Sequence, residues 1–99
     1  MRYESEALGV SFELPDTLTV REQLLFRSRI AERPREEHFT RYWYAAQSLI
    51  QEWQCDDIPD PAELDMDAPD GDGRLSNIVM WVANTAAGHL AGIDIPPKN

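Results

Sequence analysis

The fifteen residues from Phe39 to Trp53, FTRYWYAAQSLIQEW, constrain the fold of this chain more than any other stretch. Phe39, Trp43, Ala46, Ile50 and Trp53 recur at steps of four and three. That spacing places side chains on one face of an α-helix. Two tryptophans and a phenylalanine on one stripe are a large apolar surface for a chain of 99 residues, because aromatic rings dominate burial energetics. Tyr42, Tyr44, Ala45 and Leu49 widen the surface beyond a single seam. Such a helix either fills the middle of a core or offers part of itself to a partner.

The flanking sequence extends this into a predicted all-α fold, one small domain over residues 1–99. Val10, Phe12 and Leu14 alternate with Ser11 and Glu13, as in a half-buried strand. A lone strand has no mate in a helical chain, so residues 1–18 are expected as an extended arm over the helices, unless they pair with a partner's strand. Thr19-Val20-Arg21-Glu22 reads as a capping box opening helix one at 19–32. Its face is read through Val20, Leu24, Arg27 and Ala31, with Leu25, Phe26 and Ile30 beside it. Pro34 suits the first turn of helix two, 34–54, and Glu36 and Glu37 complement its dipole. Residues 56–73, DDIPDPAELDMDAPDGDG, hold three prolines, two glycines and eight acids. They are expected as a long acidic loop, mobile and without a buried element. Ile78, Trp81, Val82, Thr85, Ala86, His89 and Leu90 mark helix three at 75–92, with Gly92 as its stop. Ile93, Ile95 and two prolines are expected as an extended tail.

The formal charge of −9 is unevenly spread. Residues 1–20 carry −3, residues 21–41 carry +2 from six arginines against four glutamates, and residues 42–99 carry −8. A chain this acidic repels phosphate backbones, which disfavours direct nucleic-acid binding. The arginine-rich block could meet an acidic partner or be a solvated helix face. No apolar run reaches the roughly 18 residues of a membrane span. The N-terminal MRYESEALGV lacks the basic-then-apolar order of a signal peptide. The single Cys55 forms no internal disulfide, which fits a reducing cytoplasm.

No residue pattern specifies catalysis. Asp70-Gly71-Asp72-Gly73-Arg74-Leu75-Ser76 resembles the middle of a calcium loop, but Ala68 and Val79 stand where the terminal carboxylates belong, so an acidic turn reads better. His38, His89 and Cys55 lack the short ligand spacing of a zinc site. His38 is expected to be exposed, His89 to be a hydrogen-bonded core residue and Cys55 a buried thiol. No catalytic residue, cofactor or metal ligand is assigned, and an enzyme is not expected.

The segments ELPDTLTVREQLLF, RYWYAAQSLIQEWQC, an acidic proline-containing linker, NIVMW and the terminal PPKN, in that order, resemble small tail assembly chaperones of long-tailed bacteriophages and prophages. The resemblance implies a mostly helical, non-catalytic protein of the host bacterial cytoplasm. It would keep the tape measure protein soluble and help tail tube protein polymerise around it. Phe26, Phe39, Tyr42, Tyr44 and Trp81 are then the expected partner-binding residues, Ile30 and Val82 extend the stripe, and self-association stays open. The alternative for Trp43, Trp53 and Trp81 is that they form the protein's own core. The resemblance also leaves open a longer frameshifted product, as in several such families: Lys98-Asn99 after a proline can be encoded as CCA-AAA-AAC, and by other codons as well. Two other classes fit the composition: an acidic decoy that binds a host nuclease or DNA-binding protein, and a head–tail connector component that self-assembles.

Overall fold

The fold follows from two short runs that the helical stripe obscures. In the computed structural model, which describes residues 1–94 and side chains through Ala91, Arg2–Ser5 (β1), Val10–Glu13 (β2) and Gln51–Cys55 (β3) form an antiparallel sheet in the order β1-β2-β3. Three α-helices accompany it: Val20–Ala31 (α1), His38–Ala46 (α2) and Arg74–Asp94 (α3). The chain is therefore mixed α/β, and the all-α expectation is corrected. The expected tail beyond Asp94, including Lys98-Asn99, lies outside the described residues.

The alternation in β2 places Val10, Phe12 and Leu14 in the core, while Arg2 donates to the hydroxyl of Ser11 on the other face at 3.1 Å. The strand expected to lie alone has mates on both sides within the chain. Tyr3 opposes Phe12, and Val10 opposes Cys55. Gly9 takes a left-handed φ of 66° in the turn from β1 to β2, a conformation glycine adopts at little cost.

The largest departure lies in the second helix. Instead of running over 34–54, a 3-10 turn at Arg35–Glu37 leads into nine residues of α2. The chain turns through residues 47–50, with the amides of Leu49 and Ile50 both donating to the carbonyl of Ala46. It then re-enters the sheet as β3. Trp53 fits either element: it is three residues from Ile50 on a helix and two from Cys55 on a strand. The strand prevails because it gives β2 a second hydrogen-bonded neighbour and places the Trp53 ring centroid 6.1 Å from Phe12 and 6.0 Å from Trp43. Between Ser11 and Glu13 the register slips by one residue, and Glu52 takes φ 52° at this bulge. A bulge bends an edge strand and weakens it as a template for further pairing.

α1 opens on the expected capping box: Glu22 N–H donates to the Thr19 hydroxyl at 3.1 Å, and Thr19 N–H donates to the Glu22 carboxylate at 2.9 Å. The face it buries is not the one read from the sequence. Phe26 and Ile30, four apart, pack inward, while Val20 and Leu24 point to solvent. α3 spans 21 residues, about 30 Å at 1.5 Å per residue, and passes Gly92 without stopping. Its Ile78, Val82, Ala86 and Leu90 are buried against the sheet and α2. Trp43 sits fully enclosed at the centre.

Residues 56–73 are also anchored more firmly than a mobile loop. Ile58 is fully buried, and its carbonyl accepts from Trp53 Nε1 at 2.6 Å. Gln47 Nε2 donates to Pro61 O at 3.1 Å, holding a 3-10 turn at Pro61–Glu63. The expectation that this segment holds no buried element is thus corrected: one isoleucine and one indole donor are enough to fasten it. Among the described residues no helix is long and apolar enough to cross a membrane.

Candidate interaction surface

The residues that end the acidic segment build a helix start. Four amides at the beginning of an α-helix lack partners within the helix. Here Asp70 O accepts from Gly73 N–H, Asp72 accepts from Arg74 N–H, and the two carboxylate oxygens of Asp70 accept from Leu75 and Ser76 N–H. The Ser76 hydroxyl adds a 2.6 Å bond to Asp70. These bonds to its charged form, led by the Ser76 hydroxyl, hold the Asp70 carboxyl below its ordinary value. The calcium-like run DGDGRLS is accounted for as a helix cap, with both Asp70 oxygens engaged by α3.

Arg74 leaves this cap and ties three segments together. Its Nε donates to Asp57 at 2.6 Å and its guanidinium donates to Leu8 O at 2.8 Å. The Asp57 hydrogen bond and charge push the Arg74 pKa up. The acidic segment, the β1–β2 turn and α3 are thereby fixed relative to one another.

His89 is half-buried and has both ring nitrogens engaged: Tyr3 Oη lies 2.6 Å from Nδ1 and Pro15 O lies 2.7 Å from Nε2. A carbonyl only accepts, so Nε2 carries the hydrogen and the Tyr3 hydroxyl donates to Nδ1. His38 is exposed, with its ring 5.2 Å from Phe39 and 5.0 Å from Tyr42. Cys55 is a buried free thiol on β3. The described residues bring no three His, Cys, Asp or Glu side chains together as a metal cluster.

The five expected partner-binding residues separate. Phe26 is core, 4% exposed, and its ring packs beside Tyr42. Trp81 is half-buried, edge-on to Phe12 at 5.6 Å. Tyr44 is half-buried under Arg33, whose guanidinium lies 4.1 Å from the ring centroid. Val82 is fully buried and Ile30 packs on the core, so neither extends a solvent-facing stripe. Phe39 is the most exposed of the five, at 37%.

Phe39 stands at the mouth of a cleft of ≈ 280 Å³ where the first turns of α2 and α3 are crossed by residues 64–68. Leu64, Met66, Leu75, Val79 and Met80 supply its apolar lining, with Asp65 and Asp70 at its edge. Unbranched methionines adapt their shape to different occupants. Sequence reading overlooked Leu64 and Met66, although their alternation with acids in AELDMDA is the signal that marks them. A second uncovered apolar surface lies on α1, where Val20, Leu24 and Leu25 are 78%, 62% and 43% exposed. Arg21 and Arg27 flank Leu24 on the same helix face.

Comparison with protein-family models, curated proteins and solved structures gave no match.

Proposed function

We propose that the protein acts by binding, as a tail assembly chaperone that shields an apolar segment of a tape measure or tail tube protein in the host cytoplasm. Two things support this reading. The ordered segments from ELPDTLTVREQLLF to PPKN resemble that family, and the cleft beside Phe39 is an adaptable apolar surface within an acidic shell. The cleft is the observation that carries it. A tape measure is long, helical and apolar on one side, and a helix with spaced apolar anchors fits a groove of this kind. Negative charge around the groove keeps the complex dispersed in water.

The client surface differs from the broad helix-two stripe suggested by periodicity. Trp43 is enclosed in the core, while Phe39 and Met66 remain available. The test is affinity capture of the tagged protein from cells producing the parent phage or prophage, with bound proteins identified by mass spectrometry. Recovery of a tape measure or tail tube chain, lost on Phe39→Glu with the fold intact by circular dichroism, supports the proposal. Recovery of a nuclease or DNA-binding protein replaces it with the decoy reading.

A further inference from the structure

The two uncovered apolar surfaces have opposite electrical surroundings. On α1, Val20 and Leu24 share a face with Arg21 and Arg27, and the residues that follow Val20, 21–41, carry +2. The cleft holds Phe39 and Met66 beside Asp65 and Asp70, and most of its lining comes from the acidic residues 42–99, which carry −8. Each surface therefore carries the sign of charge that the other lacks. Copies bearing −9 each repel in most orientations. The approach that sets the arginine block of one against the acidic cleft of another escapes that repulsion.

We propose that α1 of one copy docks through Val20 and Leu24 into the Phe39–Met66 cleft of a second copy. The contact is head-to-tail: it uses two different patches, so every added copy leaves one cleft and one α1 face open. Such an interface grows into short chains unless its rotation closes a ring. A few side chains in a shallow cleft give weak association, with Kd on the order of 10 μM to 1 mM. Weak docking suits a cleft that must be vacated for a client, since the second copy covers the apolar surface until displaced. This inference rests on the cleft being a docking site and not on the identity of its client.

Sedimentation velocity from about 10 μM to 1 mM tests the contact over the range in which such affinities are read. The wild type is expected to rise from a monomer of 11.3 kDa with concentration. Val20→Ser/Leu24→Ser and Met66→Arg alter exposed positions, so each variant keeps its helical circular dichroism. Both are expected to associate at least tenfold more weakly. An equimolar mixture of the two variants restores one intact contact, from the α1 of Met66→Arg to the cleft of the double variant, and stops at the dimer. A wild type that stays monomeric at every concentration overturns the proposal. So does a variant that associates like the wild type, or a mixture that stays monomeric or grows beyond the dimer. A monomeric wild type that still captures a tail protein removes self-docking and leaves the chaperone reading standing. Association without such capture does the reverse.

Discussion

Replacing Tyr3 with Phe removes one oxygen and tests how the sheet is fastened to α3. The Tyr3 hydroxyl donates to His89 Nδ1 at 2.6 Å, while His89 Nε2–H donates to Pro15 O at 2.7 Å. One ring thus joins β1, the connector before α1 and the long helix. Phe keeps the ring contact with Phe12, now 5.8 Å between centroids, so the loss is confined to the hydrogen bond and a stranded acceptor. A net hydrogen bond contributes about 0.5–1.5 kcal/mol, and an unsatisfied buried group costs about 1–3 kcal/mol. Because His89 is only half-buried, water relieves part of the second term. The expected loss is about 1.5 kcal/mol, or a fall in Tm of roughly 6–12 °C for a domain of this size. Urea denaturation followed by tryptophan fluorescence measures it directly. A double-mutant cycle with His89→Leu isolates the pair and should give about 1 kcal/mol of coupling. Nitrogen-15 spectra of the imidazole read the tautomer independently. A hydrogen found on Nδ1, or a coupling below about 0.3 kcal/mol, refutes the arrangement.

Trp53→Phe deletes the donor to Ile58 O and is expected to cost about 1–2 kcal/mol, with faster amide exchange in residues 56–64. Glu52→Gly relaxes the left-handed bulge and should be neutral or stabilising by up to about 1 kcal/mol, whereas Glu52→Val should destabilise by about 1–2 kcal/mol; equal effects from both in urea melts would contradict the bulge. Asp70 has a folded pKa below its ordinary 3.8, so the stability it contributes is complete above that pH and disappears as pH falls through the lowered value. Asp70→Asn should therefore lower Tm at pH 7 and show a shallower acid fall than the wild type; parallel acid limbs would show that the cap does not act through the carboxylate charge.

Which features were legible in the sequence depended on how far apart their causes lie. The capping box at Thr19-Glu22 and the face of α3 depend on residues three or four apart, and the sequence displays them directly. The alternation of Val10, Phe12 and Leu14 was equally visible, but its consequence was not, because a strand's stability depends on its mates. One mate, RYES, has a single large apolar residue; the other, QEWQC, shares Ile50 and Trp53 with a helical spacing. The decisive fact was that Val10 meets Cys55 across 45 residues of chain, and period alone does not contain it. The same non-local competition reversed α1. Val20, Leu24, Phe26 and Ile30 are all apolar, so the helix has two candidate seams, and packing on α2 selected Phe26 and Ile30. That choice left Val20 and Leu24 outside. The most useful functional clue is thus what the fold declined to bury: an arginine-flanked apolar face and an aspartate-edged cleft, neither of which periodicity distinguishes from core.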